Sequence, residues 1–315
     1  MSNFQSVFQE SLAAYVKLRR GLGYRFNEDV YLLRAFDRYV CKTRSTKISQ
    51  ELALAFATDN PNSSESYRFS RYKVVRQFSE YLAVFDPETP RLDPKALPIH
   101  KTRMKPYIYT EQDIAQLLHE ARHISSKNPM RGATLHAVVG LAASTGLRIG
   151  EVVGLDKQDV NLETGTLLIR QSKFGKDRYV PLHATTLDVV RNYAVTRDTA
   201  FTHSHDLAFF LTLRGRRFCK NTLQQAFCKI ARRAGLRPPQ GRGPSFHNLR
   251  HRFAVKRLVA WYKAGVDVQA MLPALATYMG HVCYSDTAYY LTATAELLEL
   301  AAERAQSSAQ KGASR

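Results

Sequence analysis

Four short fragments carry most of the candidate chemistry of this chain, and together they hold arginines, lysines, histidines and a pair of adjacent tyrosines. They are Thr145-Gly-Leu-Arg-Ile-Gly-Glu151, Ser172-Lys-Phe-Gly-Lys-Asp-Arg-Tyr-Val-Pro181, His247-Asn-Leu-Arg250 and Gly280-His-Val-Cys-Tyr-Ser-Asp-Thr-Ala-Tyr-Tyr290. Arginine suits phosphate because its guanidinium is always charged and forks onto two oxygens. A tyrosine hydroxyl can attack phosphorus. The fragments therefore predict a phosphate site with a phenol as nucleophile.

Cutting a phosphodiester without a metal requires neutralised oxygens, an in-line nucleophile and a proton for the leaving oxygen. Arg148 follows a glycine at a predicted helix-to-helix corner, where its side chain could reach into a cleft. Glu151 either orients Arg148 or is structural, and a plain surface pair of the two is the alternative. His247 and Arg250 are three residues apart, so they share one helix face and can point at one phosphate.

Two roles each have two candidate residues: the general acid that protonates the leaving oxygen, and the tyrosine that attacks phosphorus. Lys173 and Lys176 both lie near the tip of a predicted β-hairpin, and a lysine beside the leaving oxygen can act as general acid when nearby arginines lower its pKa. Tyr289 and Tyr290 are adjacent. On a helix they point about 100° apart, so one of the two can face the phosphate.

Metal binding is a competing explanation for the histidines. His247 and His251 have the i, i+4 spacing of two ligands on a helix. Position 248 is asparagine, so the glutamate of a zinc-protease helix is missing. His203 and His205 form a loop fragment without a third ligand. We predict no metal site.

In order and spacing, the four fragments resemble the tyrosine recombinases, the phage-integrase and Xer-type family. The resemblance covers about residues 5–300. It is specific in the second part of the chain, where four separate motifs agree. It is weak in the first part, where the match is limited to the helical pattern and a connecting linker. It implies that Arg148 and Arg250 hold the scissile phosphate, that His247 takes part in proton transfer, and that His281 donates a hydrogen bond to a non-bridging oxygen.

The resemblance also chooses between the competing residues. The family spacing from the Gly-His histidine to the nucleophile is nine, which from His281 reaches Tyr290. The family lysine is the first basic residue of the hairpin tip, here Lys173. Ser172 and Phe174 stand where the family has a Gly-Lys-Gly-like sequence, so the tip departs from that pattern.

The implied function is site-specific DNA recombination through a 3′-phosphotyrosyl intermediate and a Holliday junction, without metal, cofactor or ATP. The implied partners are double-stranded DNA and a homotetramer on two duplexes, with or without a related recombinase. A mobile element is the expected source. The alternatives are a type IB topoisomerase-like or hairpin-resolving enzyme, or a DNA-binding protein with a vestigial catalytic set.

Composition agrees with a nucleic-acid partner. Lys and Arg total 46 against 27 acidic residues, a formal net charge of +19 that is spread along the chain. A high isoelectric point without a special role is the alternative. The four cysteines show no C-x-x-C spacing, and no segment resembles a signal peptide or membrane span. We expect a cytoplasmic protein, associated with the bacterial nucleoid when bound to DNA.

Periodicity predicts a mainly α fold with a small β-hairpin, arranged as a two-domain, C-shaped DNA clamp. Residues 1–85 are predicted as a helical core-binding domain, with Arg68, Arg71, Lys73 and Arg76 exposed on its fourth helix. Residues 86–106 are predicted as a basic, proline-containing extended linker. Residues 107–303 form the catalytic domain, helical again beyond Leu182, and 304–315 a mobile tail. We expect Leu297, Leu298 and Leu300 to dock on a neighbouring subunit.

Overall fold

The computed structural model describes residues 4–24, 26–98, 106–124, 128–170, 177–241, 243–281, 284–292, 297–299 and 301–302. The chain divides into two compact units, Met1–Arg103 and Met104–Arg315. Both are built mainly from helices, and a small sheet lies in the second, which confirms the predicted mainly α fold class. The clamp arrangement and the domain boundaries stay predictions. None of the helices described is long and apolar enough to cross a membrane.

The first unit packs four helices around one aromatic core. The helices are α1 (Gln9–Gly21), α2 (Asn27–Thr43), α3 (Gln50–Thr58) and α4 (Glu65–Leu82). Phe36, Phe56 and Phe78 are fully buried between them. At the start of α3 the Ser49 hydroxyl accepts a hydrogen bond from the Leu52 amide at 3.1 Å, which satisfies one of the free amides of the first turn.

The predicted exposed basic face of α4 is wrong at Arg71, and among its other residues Lys73 is exposed while Arg68 and Arg76 are half-buried. Arg71 is buried, with its guanidinium 4.0 Å from the centre of the Phe56 ring and 3.9 Å from the Asp59 carboxylate. A guanidinium over an aromatic face keeps its charge while its stem packs in the core. Arg71 therefore belongs to the core of the first unit, whereas Lys73 is exposed.

Part of the predicted linker packs on the first unit. The Ser79 hydroxyl donates to the Pro90 carbonyl at 2.6 Å, and the Tyr72 hydroxyl donates to the Asp93 carbonyl at 2.6 Å. Leu92 is buried in the same apolar core. These contacts tie residues 86–98 to α4, while residues 99–105 lie outside the described part of the chain.

The described residues of the second unit form eight α-helices, of which one is buried. They are α5 (Glu111–Arg122), α6 (Pro129–Thr145), α7 (Ile149–Gly154), α8 (Ala184–Ala200), α9 (Lys220–Arg233), α10 (Phe246–Lys263), α11 (Val268–Met279) and α12 (Tyr284–Ala288). The buried helix is α6, which packs against α5, α8 and α10. Its apolar residues face all sides, as expected for a helix enclosed by others.

A three-stranded antiparallel sheet flanks these helices in the order β1 (Val160–Asn161), β2 (Thr166–Ile169) and β3 (Arg178–Pro181). Strands β2 and β3 are the predicted hairpin, and Leu167 pairs with Val180 across it on the buried face. Strand β1 was not predicted. The hairpin tip, residues 171–176, lies outside the described residues, and Lys173 and Lys176 lie there.

The prediction of continuous helix beyond Leu182 is wrong for residues 201–219. This segment is irregular and carries two isolated β-bridges, Asp156 with Ala208 and Leu211 with Arg217. Phe209, Phe210 and Leu211 are buried there, and the Leu211 amide donates to the Tyr193 hydroxyl at 3.0 Å. A run of buried residues this short does not distinguish helix from strand by periodicity.

Helix α10 joins the two apolar cores of the second unit. Its first turn places Phe246 and Leu249 in the larger core, around α6. Its later turns place Phe253 and Leu258 in a smaller core with α11 and the segment after it. Side chains at the start of α10 therefore lie where the two cores meet.

Leu297 is buried in the smaller core of its own chain, so it does not serve as the predicted docking residue in this conformation, whereas Leu298 is exposed. Leu300 lies outside the described residues.

Gly146 ends α6 in the left-handed conformation, with φ of 67°. A Cβ added there would lie 2.8 Å from Cδ1 of Phe253 on α10. We expect Gly146→Ala to lower the free energy of unfolding by about 2 kcal/mol or more, because it combines left-handed strain with overpacking. Urea denaturation would measure this loss.

Gly154→Ala is the matched control, because a Cβ there would meet no atom within 4 Å and its backbone φ is not positive. Equal stability of the two variants would contradict the role assigned to Gly146.

Candidate active site

Two arginines converge on the carbonyl ends of α6 and α11. Arg148 Nη1 donates to the Met279 carbonyl at 3.1 Å, and its Nη2 donates to the Gly280 carbonyl at 2.9 Å. Arg250 Nη1 donates to the Gly146 carbonyl at 2.9 Å, and its Nη2 donates to the same Met279 carbonyl at 2.5 Å. The last carbonyls of a helix lack partners within the helix and carry its negative dipole end, so they bind cations well.

A carboxylate and a third arginine complete this cluster. Glu151 accepts from the Arg148 amide and from Arg148 Nη1, both at 2.9 Å. Arg178, the first residue of β3, donates to both carboxylate oxygens of Glu151 at 3.0 Å, and its Nε donates to the Tyr278 carbonyl at 2.7 Å. Glu151 therefore orients Arg148, as one sequence interpretation held, and also connects β3 to α7.

Gly280 makes the close approach of these arginines possible. It ends α11 with φ of 64°, and a Cβ there would lie 3.1 Å from Arg178 Nη1 and 3.4 Å from Arg148 Nη1. His281 follows at once and forms a hydrogen bond through Nδ1 to the hydroxyl of the buried Thr287, at 2.7 Å. This bond fixes the ring and leaves Nε2 to contact a ligand.

Tyr290 lies beside the histidines in a short 3-10 helix, Tyr289–Thr292. Its side chain is buried, and its hydroxyl lies 3.2 Å from Nδ1 of His251. Its ring is nearly parallel to that of His281, with centroids 6.2 Å apart. Tyr289 is half-buried and does not share this position, so the structure separates the two neighbouring tyrosines.

The cluster is strongly cationic, and it contributes to the lowered pKa of the buried histidines beside it. Burial, Arg250 and Arg148 lower the pKa of His281 to about 4. Burial, His247 and Arg250 lower the pKa of His251 to about 4. Burial, Arg250 and Arg148 also lower the pKa of His247. These histidines are therefore neutral at pH 7.

The same environment also shifts the pKa values of Arg250 and Tyr290. Burial and the nearby Arg148 lower the pKa of Arg250 to about 10, which leaves its guanidinium charged at neutral pH. Burial raises the pKa of Tyr290, and Arg250 and Arg148 offset part of that rise. The phenol therefore keeps its proton at neutral pH, and attack requires a group that removes it.

Five of the six predicted catalytic residues come together: Arg148, His247, Arg250, His281 and Tyr290. The sixth, Lys173, lies outside the described residues. No third His, Cys, Asp or Glu of the described chain joins His247 and His251 in a metal-binding group. The arrangement can bind an anion with its arginines and present a phenol next to it.

Comparison with known proteins identifies the family. The model of the phage integrase family matches residues 108–296. The chain is 44% identical to a putative integrase/recombinase of Sinorhizobium fredii, y4rE, over 97% of this chain and 98% of that protein. The chain belongs to the phage integrase family of tyrosine recombinases.

Solved structures of other recombinases share the fold. XerH bound to its palindromic difH substrate matches with a TM-score of 0.67 and 20% identity, over 94% of this chain and 84% of XerH. A λ integrase tetramer bound to a Holliday junction matches with a TM-score of 0.60 and 17% identity, over 87% of this chain and 77% of λ integrase. The recombinase is therefore an enzyme of site-specific DNA recombination by family.

Sequence reasoning missed two residues of the recombinase site. Arg178 lies in the second of the four fragments but was given no role, and its partner Tyr278 lies 100 residues further on, so no local signal pointed to it. His251 was weighed as a metal ligand, although the structure places it against Tyr290. Its spacing of four from His247 was the available signal, because that spacing puts both rings on one helix face.

Glu151 should stabilise the second unit of the recombinase through its buried pair with Arg178. We expect Glu151→Gln to lower the free energy of unfolding by about 3 kcal/mol, because it leaves two arginines without their counter-charge. Urea denaturation at pH 7 would measure the change. Glu163→Gln, at an exposed position, is the control and should be neutral.

The loss should also depend on pH. Burial raises the pKa of Glu151, but its bonds to Arg178 and Arg148 outweigh burial and hold that pKa below 4.5. The contribution is therefore complete above about pH 4.5 and disappears as the pH falls through the lower folded-state value. A stability difference that is constant from pH 7 down to acid unfolding would contradict this pairing.

Proposed function

We propose that this recombinase cuts and rejoins DNA through a covalent 3′-phosphotyrosyl intermediate at Tyr290. The observation that carries the proposal is the shared position of Arg148 and Arg250, whose guanidinium groups both donate to the Met279 carbonyl while a buried phenol lies next to the same cluster. Three guanidinium groups against one carboxylate leave a net positive charge, which a phosphodiester would partly neutralise.

In the cleavage step, Arg148, Arg250 and His281 would hold the non-bridging oxygens of the scissile phosphate. The Tyr290 hydroxyl attacks phosphorus, the bond from phosphorus to the 5′-oxygen breaks, and a neighbouring histidine receives the phenolic proton. The departing 5′-oxygen takes a proton from Lys173, the residue that the family resemblance implies.

In the joining step, a 5′-hydroxyl of a partner duplex attacks the phosphotyrosine and Tyr290 leaves. The ester conserves the bond energy, so neither ATP nor a metal is required. We further propose that four copies act on two duplexes through a Holliday junction, which the fold shared with the λ integrase tetramer supports. The similarity to a putative integrase/recombinase supports a mobile element as the source.

Tyr290→Phe should abolish the covalent adduct while DNA binding persists, because the change removes the nucleophilic oxygen alone. Tyr289→Phe is the matched control and should keep the adduct. The measurement is a suicide-substrate trap: nicked duplexes from the flanks of the encoding locus are incubated without divalent metal, and the covalent protein–DNA band is quantified. A band that survives in Tyr290→Phe and is lost in Tyr289→Phe would move the nucleophile to Tyr289.

A plasmid relaxation assay, together with the adduct assay, distinguishes the alternative functions. Relaxation of a supercoiled plasmid that lacks the flanking sequence would favour a type IB topoisomerase over a site-specific recombinase. Binding without any adduct from the wild type would favour a vestigial catalytic set.

Arg148→Ala should slow adduct formation by about 10²-fold, as for the loss of one preorganised donor to the transition state. Arg148 suits this test better than Arg250 because its side chain is partly exposed, whereas Arg250 is almost fully buried. Single-turnover kinetics on the nicked duplex would give the rate. Arg191→Ala removes a half-exposed arginine that bonds the Leu162 carbonyl, and it should stay within about threefold of wild type. A similar rate for both variants would remove Arg148 from the site.

A further inference from the structure

The proposed cleavage step leaves one proton without a defined acceptor, and the structure places a specific atom next to it. His251 Nδ1 lies 3.2 Å from the Tyr290 hydroxyl oxygen, within hydrogen-bond distance, and the two ring centroids are 5.5 Å apart. A general base must lie within this reach of the proton that it removes. The ring of His247, to which the resemblance implies a part in proton transfer, packs edge-on against that of His251, with centroids 4.7 Å apart and ring planes at 90°.

The geometry of α10 explains why His251 takes this position. His247, Arg250 and His251 lie within two turns at its start, so all three point towards the same side of the helix. Arg250 reaches the carbonyl ends of α6 and α11, and His251 reaches the 3-10 helix that carries Tyr290. One helix therefore positions a phosphate-binding group and a proton acceptor together.

We propose that His251 is the catalytic base for Tyr290. This inference rests on the strand-cleavage function proposed above. As the bond from the tyrosine oxygen to phosphorus forms, the phenolic proton moves to Nδ1 of His251, and the electron pair of the breaking bond goes to the 5′-oxygen, which is protonated by the general acid. In the joining step the imidazolium returns the proton to the departing tyrosine oxygen.

The surroundings of His251 make the base depend on bound DNA. Burial and the neighbouring His247 and Arg250 keep the imidazole neutral at pH 7, so Nδ1 is able to accept a hydrogen bond. Arg148, His281, Tyr289 and the exposed Asp286 are the other titrating groups around the phenol and these rings. A phosphodiester held by the arginines would add negative charge to this cluster, which favours the protonated imidazole and strengthens the base.

The first test requires no DNA. Nitrogen NMR of the histidines should show His251 with its proton on Nε2 and an unprotonated Nδ1 at pH 7, and the Nδ1 signal should shift in Tyr290→Phe. The His251→Asn spectrum assigns the resonance. A proton on Nδ1, with the imidazole donating to the tyrosine oxygen, would overturn the proposal.

The second test is the rate of adduct formation in the suicide-substrate trap. We expect His251→Leu to be slowed by about 10²-fold at pH 7, at the lower end of general-base contributions. His251→Asn should remain slow, because an amide can hold the hydroxyl but cannot take its proton. His136→Leu removes a half-buried histidine whose pKa is also lowered by burial, and it should match wild type.

The pH dependence separates a base from a merely positioning group. Without the base, the variant reacts through the ionised phenol, so its rate should rise about tenfold per pH unit and approach that of wild type at high pH. A wild-type rate in His251→Asn, or parallel pH profiles for wild type and His251→Leu, would assign His251 to positioning and overturn the proposal.

A substrate with sulfur in place of the bridging 5′-oxygen locates the defect. A thiolate leaves without a proton because thiols are far more acidic than alcohols. The defect of His251→Leu should therefore persist on this substrate, whereas that of Lys173→Ala should disappear. If the sulfur substrate restores the rate of His251→Leu, then His251 protonates the leaving 5′-oxygen, and the assignment as base is overturned. Wild type without any adduct on either substrate would instead remove the strand-cleavage function itself, and the NMR result would still decide the hydrogen bond.

Discussion

The site depends on arginines held by the carbonyl ends of two helices. Removing a charged group from water costs several kcal/mol, and a buried guanidinium is stable when its donors are satisfied. Here the last carbonyls of α6 and α11 and the carboxylate of Glu151 accept those donors from Arg148, Arg178 and Arg250. The partners satisfy hydrogen bonds without cancelling the charge, because carbonyls are neutral and one carboxylate faces three cations.

This arrangement makes the site a property of the whole second unit. The Arg148 bond to the Gly280 carbonyl spans 132 residues, and the Arg178 bond to the Tyr278 carbonyl spans 100. Helices α6, α7, α10 and α11 and strand β3 must therefore all be in place before the cations converge. Both helices that supply carbonyls end in a left-handed glycine, which turns the chain sharply enough for the arginines to approach the carbonyls.

The sequence predicted which residues form the site better than it predicted what they contact. Arg148, Arg250, His281 and Tyr290 were found because their spacing resembles a family pattern, and the mainly helical fold was found from periodicity. Arg178 and His251 were missed as members of the site because their roles arise from contacts across the fold. Arg71 was misplaced for a related reason, since a charged residue on a helix indicates exposure until an aromatic ring covers it.

The electrostatics suggest how such an enzyme avoids reacting without its substrate. Burial is the largest cause that lowers the pKa of the three neighbouring histidines, and Arg250 adds to it at each of them. Burial also keeps the Tyr290 phenol protonated. A bound phosphodiester would lower the net positive charge of the cluster, which favours the protonated form of these histidines. In the proposed mechanism, the histidine in contact with the phenol would therefore become a stronger base when the electrophile is bound. Substrate binding and activation of the nucleophile would then be coupled through charge.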